Sequence, residues 1–297
     1  MFPFSQTIAR PRLLPLRRVP APYKASLGMM TASTESNGAT VQPAKTSGGK
    51  AEVKILMLHG YTQSGALLRA KTRALEKLLT KVLSPLSLTP VLIYPTGPNR
   101  LLPQDMPFYS PPSDPAEEDD YQPDTWAWWR KDEGSGEYIY LEKGMETIAQ
   151  AIREAGGVDG VCGFSQGGAA TGMVAAALEA ERAVPEGPAG EWVRKLREAN
   201  GGRAAKFAVS YSGFWATPES LQFLYKPKIR TPSLHYLGSL DTVVEESRSQ
   251  ALIDRCESAT QVVHPGGHHV PVSKEWVMPL AGFIKQHVYD AAPKAGL

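Results

Sequence analysis

The pentapeptide Gly163-Phe164-Ser165-Gln166-Gly167 sets a serine between two glycines, each two residues away. A short apolar segment from Val158 runs into it, and Gly167 and Gly168 open an alanine-rich run that continues to Ala180. The pattern predicts strand, tight turn and helix, with the serine hydroxyl pushed clear of the sheet on a strained turn. Gly163 and Gly167 stand where a Cβ would collide with neighbouring backbone. The helix aims its first N–H groups at whatever the serine attacks, and the N–H of Gln166 is positioned to receive a developing oxyanion. That chemistry is acyl transfer. Five residues with two glycines also recur by accident, so a plain strand-to-helix turn is the competing reading until partners for the serine are found.

A serine hydroxyl is a poor nucleophile at neutral pH and needs a histidine as base and an acid to hold that histidine in one tautomer. On a parallel sheet the expected chain order is Ser, then Asp or Glu, then His, each on a loop after a strand. Asp241 lies three residues beyond Gly238, just past an apolar strand; its alternative role is a helix N-cap. His264, His268, His269 and His287 follow it. His268 and His269 sit on a glycine-flanked loop, and spacing alone does not choose between them. His264 ends a strand and reads as structural; His287 falls on the closing helix as a solvated or core residue. A second oxyanion donor is expected from the loop after an early strand, where the N–H of Tyr61 or Thr62 follows His59-Gly60. His59 itself reads as a brace for that loop.

The elements that must position these groups alternate. Val53 to Leu58 is a buried parallel strand, Ala66 to Leu83 a helix, Leu88 to Tyr94 a second strand. A helix is expected near Tyr138 to Ala155, and after the elbow helix come strands at Lys206 to Tyr211, Ser233 to Leu237 and Gln261 to Val263. Helices are expected within the polar insertion Val184 to Gly202, over Val243 to Cys256, and over Lys274 to Tyr289. The result is a mainly parallel, doubly wound α/β sheet with helices on both faces. Between Thr96 and Lys131 periodicity disappears into a proline-rich stretch with the acidic cluster Glu117 to Asp120, and loops of such length are usually lids or binding segments. Its tryptophans Trp126, Trp128 and Trp129 are candidates for lining an acyl pocket; the alternative is that they anchor the loop on the core.

Composition narrows the class. The chain has 297 residues, 42% hydrophobic and 21% charged, with net charge +2, a soluble globular profile that names no nucleic-acid partner. No apolar run reaches the roughly 20 residues of a membrane span. Cys162 and Cys256 have no metal-ligand spacing and read as reduced core thiols, so neither metal nor cofactor is expected. The division expected is a disordered leader and linker over 1–50, a catalytic domain over 51–290 and a short tail over 291–297. Met1 to Thr34 carries Arg10, Arg12, Arg17, Arg18 and Lys24 with no acidic residue, which resembles an organellar presequence. The alternatives are a disordered tail or an upstream extension before a start at Met29 or Met30. A cytoplasmic location is the expectation, with a mitochondrial one as the alternative that this leader raises.

Taken together, LHGYTQSG at 58–65, GFSQGG at 163–168, YSGF at 211–214, HYLGSLDTVV at 235–244 and HPGGHHVP at 264–271 resemble the FSH family of serine hydrolases. This family, common in fungi, includes the animal ovarian-tumour-suppressor-type esterases. The resemblance covers about Val53 to Val288 and implies an α/β-hydrolase fold with a long lid-like insertion. It implies Ser165 as nucleophile, Asp241 as triad acid and His268, directly after the paired glycines, as base. It also implies esterase or thioesterase activity on a small acyl substrate; some fungal members release acyl chains from polyketide synthases. His269, at a variable position of the family, and the leader, which the family does not require, are departures. The alternative of another class is a binding module that keeps the fold and pocket without catalysis.

Overall fold

The computed structural model describes residues 50–105 and 124–290. The expected leader, apart from Lys50, the acidic cluster Glu117 to Asp120 and the tail 291–297 lie outside the described residues.

Alternation of apolar side chains builds the first strand, β1 (Ala51–Leu58). Val53, Ile55 and Met57 pack with one hydrophobic cluster, Leu56 and Leu58 with the other, as a pleat covered on both faces requires. Next come α1 (Gly65–Leu83), β2 (Leu88–Ile93), two short ribbons formed by β3 (Asn99–Arg100) with β4 (Trp126–Ala127) and by β5 (Arg130–Lys131) with β6 (Tyr138–Ile139), and then α2 (Leu141–Glu154). The elbow joins β7 (Gly160–Phe164) to α3 (Gln166–Leu178). The chain continues through α4 (Gly187–Ala199), β8 (Phe207–Tyr211), β9 (Ser233–Gly238), α5 (Glu246–Ile253), β10 (Ala259–His264) and α6 (Lys274–Asp290).

Six strands form one sheet in the order β10-β9-β8-β7-β1-β2, every pairing parallel. Apolar residues of α1 and α6, among them Leu68, Leu75, Val277 and Ile284, cover one face. Those of α2, α3 and α4, among them Ile148, Val174 and Leu196, cover the other. The expected two-faced parallel sheet is therefore present.

Two expected boundaries shift. The helix expected over Val243 to Cys256 begins only at Glu246, because the N–H groups of Val243 and Val244 are held by the Asp241 side chain. The segment expected to open α2 at Tyr138 instead pairs with Arg130 and Lys131 as β6.

Candidate active site

Chain order across the sheet reverses between β1 and β7, and in open parallel sheets ligands settle beyond the carboxyl ends of the strands at such a point. β7 delivers Ser165 there with φ 54° and ψ −116°, a conformation rare for a residue with a side chain. The two glycines make the turn sterically feasible: a Cβ on Gly163 would lie 2.1 Å from Gly167 O, and one on Gly167 would lie 2.1 Å from Leu58 O. Both obstacles are backbone, which cannot rotate away.

β9 and β10 bring in the remaining groups. His268 Nε2 lies 3.0 Å from Ser165 Oγ, and His268 Nδ1 lies 2.8 Å from Asp241 Oδ2. An ionised Asp241 can only accept, so Nδ1 carries the proton and Nε2 is left to accept from the Ser165 hydroxyl. The other carboxylate oxygen of Asp241 accepts from the N–H groups of Val243 and Val244, each at 2.9 Å. Burial pushes this carboxyl up, but hydrogen bonds from His268, Val244 and Val243 outweigh it and hold the group below its ordinary value. Asp241 is thus charged and fixed. The Phe164 ring, 4.7 Å from the imidazole, flanks His268.

Of the expected oxyanion donors, the structure separates Tyr61 from Thr62. The Thr62 N–H already donates to Trp126 O at 3.1 Å, which corrects it out of the set and leaves the Tyr61 N–H as the candidate beside Gln166. The Gln166 side chain has a role that sequence reasoning missed. Its Oε1 accepts from the Trp128 N–H at 2.8 Å and its Nε2 donates to Trp129 O at 2.9 Å, tying the insertion to the elbow. No local sequence signal marks a partner nearly forty positions away.

The tryptophans are also corrected. The cavity at Ser165, about 430 Å³, is lined among the described residues by Tyr61, Leu68, Lys71, Phe164, Val243, His268 and Val270 with their neighbours, and by no tryptophan. Trp128 is 0% exposed, and its indole N–H donates to His59 O at 2.9 Å. Trp129 stacks on Tyr138 at 4.9 Å, and Trp126 donates to Asp124 at 2.7 Å. Trp128 anchors the insertion, because an indole that finds both apolar neighbours and an acceptor in the core gains more there than at a pocket wall, and Trp129 is buried beside it, whereas the Trp126 indole bonds only within its own segment.

The other histidines are placed differently. His59 Nε2 accepts from the Gly97 N–H at 2.8 Å and Nδ1 lies 2.8 Å from Gly60 O, while burial lowers its pKa to about 4. It braces the loop as a neutral ring. His269 packs edge-on against His264, ring centroids 5.0 Å apart, rather than reaching Ser165. Both cysteines are free and buried, and burial pushes the Cys162 thiol up to about 12. Among the described residues no group of His, Cys, Asp or Glu could hold a metal ion, and no helix is long and apolar enough to cross a membrane. Another hollow of about 410 Å³ is lined by Glu179, Glu181, Arg182, Arg230 and Thr231 with their neighbours.

The family model described as serine hydrolase (FSH1) matches residues 49–280. The chain belongs to this serine hydrolase family. Among FSH1-type relatives, the protein named Family of serine hydrolases 2 of Saccharomyces cerevisiae is 31% identical over 242 residues, 78% of this chain and 97% of that protein. Esterase OVCA2 of Danio rerio is 28% identical over 246 residues, 79% of this chain and 97% of the esterase. A Schizosaccharomyces pombe protein named dihydrofolate reductase is 31% identical over 229 residues, 74% of this chain, which spans 44% of that longer protein. The crystal structure of a SOBER1 variant from Arabidopsis thaliana superposes with TM-score 0.51 at 17% identity, over 80% of this chain and 100% of that one. That likeness shows the α/β-hydrolase fold.

Proposed function

We propose that this FSH1-family protein cleaves carboxylic esters or acyl thioesters of small molecules through Ser165, His268 and Asp241. The observation that carries the reading is the unbroken hydrogen-bonded line from Asp241 Oδ2 through the imidazole to Ser165 Oγ, at 2.8 and 3.0 Å. His268 Nε2 takes the hydroxyl proton as Ser165 Oγ attacks the acyl carbon. The negative charge that develops on the carbonyl oxygen is met by the N–H groups of Gln166 and Tyr61 at the buried end of α3. His268, now an imidazolium steadied by Asp241, returns the proton to the departing alcohol or thiol. The same imidazole then activates water, which releases the acid from the acyl-serine.

The cavity supports an acyl substrate because Leu68, Phe164, Val243 and Val270 give it apolar walls beside the hydroxyl. A fluorophosphonate probe should label wild-type protein at Ser165, and Ser165→Ala should take no label. Unlabelled wild type with no turnover of nitrophenyl esters would favour the non-catalytic binding module.

A further inference from the structure

The two N–H groups offered to the oxyanion stand on separate segments, Tyr61 on the loop after β1 and Gln166 at the head of α3. Two donors stabilise a developing charge well only when their separation and direction are set before the reaction begins. That setting has to come from whatever joins the two segments.

Trp128 joins them. Its backbone N–H donates to Gln166 Oε1 at 2.8 Å and its indole N–H to His59 O at 2.9 Å, with the residue wholly out of solvent. On the elbow side a second bond, from Gln166 Nε2 to Trp129 O at 2.9 Å, completes the clamp. On the loop side the line runs on through the His59 ring, whose centroid lies 4.8 Å from that of Trp128. The Gly97 N–H donates to His59 Nε2 at 2.8 Å, which leaves the ring proton on Nδ1 to donate to Gly60 O, also at 2.8 Å. Gly60 O and the Tyr61 N–H belong to one trans peptide plane and point in opposite directions, so holding the oxygen aims the N–H. The segment before Trp128 is tied to the same loop: the Thr62 N–H donates to Trp126 O and the Trp126 N–H to Gln63 O, both at 3.1 Å. Three hydrogen bonds and the covalent chain thus connect one donor to the other through a single buried indole.

Resting on the triad and oxyanion reading above, we propose that Trp128 is a positioning residue: bonded to Gln166 on one side and to His59 on the other, it fixes the spacing and direction of the two N–H groups that receive the oxyanion. It does not line the cavity at Ser165 and acts through the donors.

The test uses the full chain and a short-chain nitrophenyl ester. Trp128→Phe removes the indole N–H and keeps an aromatic ring; Gln166→Met removes the side-chain amide and keeps the backbone N–H. Each should lower kcat per folded molecule about tenfold with KM unchanged, less than the roughly 10²–10³-fold cost of deleting a donor outright. An alkyl trifluoromethyl ketone adds to Ser165 Oγ, the proton passing to His268, and its ionised oxygen sits where the oxyanion would form. Its affinity should fall by the same factor as kcat/KM. The double variant should lose little more than either single one, because both cut one line. An unchanged kcat in either folded single variant, a loss confined to KM, a ketone affinity that holds while kcat falls, or a double variant that loses the product of the single factors would each overturn the proposal. Thermal melts give the folded fraction, and Gln166→Met supplies the measurement if Trp128→Phe does not fold. Failure of the triad reading would look different: wild type itself would neither turn over ester nor take the fluorophosphonate label.

Discussion

The two ends of α3 lie in one buried helix, all thirteen residues of which are out of solvent, yet they are finished in opposite ways. At the carboxyl end arginine side chains reach back to several backbone carbonyls. Arg182 Nε donates to Ala176 O at 3.1 Å, Arg197 Nε to Ala177 O at 2.8 Å and Arg197 Nη2 to Glu179 O at 2.7 Å. Arg182 spends its remaining donors on Glu179 and on the carbonyls of Phe223, Pro227 and Lys228. Glu179 in turn accepts from the N–H groups of Arg230 and Thr231. Two cations there also suit the helix dipole. At the amino end no side chain caps the helix, Ser165 is strained, and a cavity adjoins it. Buried charge is therefore no mark of chemistry by itself. What distinguishes a candidate site is a polar group whose bonding is left incomplete toward a space a ligand can occupy.

The sharpest way to break this contrast is Ser165→Ala, which should lower ester turnover by roughly 10³-fold or more while leaving stability within about 1 kcal/mol. Parallel kinetics and urea unfolding check both halves. The mirror experiment is Arg182→Met. Removing one partner of a buried ion pair costs about 3–5 kcal/mol, so the unfolding midpoint should fall sharply, with kcat per folded molecule unchanged. A loss of kcat in the folded fraction would show that the closed end takes part in the chemistry.

Acidification comes next in size. His59 and His235 are held near pKa 4 by burial, against 6.5 for a free imidazole. Below about pH 6.5 the unfolded chain takes up protons that the native state refuses, so stability falls as pH drops and the loss is complete near pH 4. Each histidine contributes on the order of 3 kcal/mol to that slope. Urea midpoints measured at pH 7 and pH 5 test it, and an unchanged midpoint would mean that neither ring is sealed. The smallest effect is expected from Lys195→Ala, which breaks the pair with Glu146 between α4 and α2. Both side chains are nearly half exposed, so the cost should stay under about 1 kcal/mol by unfolding and leave activity untouched.

Legibility in the sequence followed interaction range. The apolar runs of β1 and β7 and the helical spacing in α1 are local signals, and the strands and helices they predict are present. The glycine positions of the elbow are readable from the motif itself, although the backbone that Gly167 must clear is Leu58 O on the neighbouring strand, far away in sequence. Motif order points to Ser165 and Asp241, and family resemblance alone chooses His268 over His269. What stayed illegible depends on distant contacts. Thr62 looks as able a donor as Tyr61 until Trp126, over sixty positions later, occupies it. The clustered tryptophans fit a pocket wall or an anchor until Gln166 and His59 O claim their neighbourhood. Two-residue ribbons such as β5 with β6 carry no periodicity at all.

The strand order has a further consequence for how the molecule ages and assembles. The serine leaves the middle of the sheet, whereas the imidazole hangs from the loop after β10, a marginal strand with a largely exposed outer face. Peripheral strands are the first to fray, so detachment of that border would strand the hydroxyl without a base while the interior stayed intact. With His268 as the proposed base, ester turnover would then be lost ahead of global melting and would report on the outermost rung rather than on the bulk of the fold.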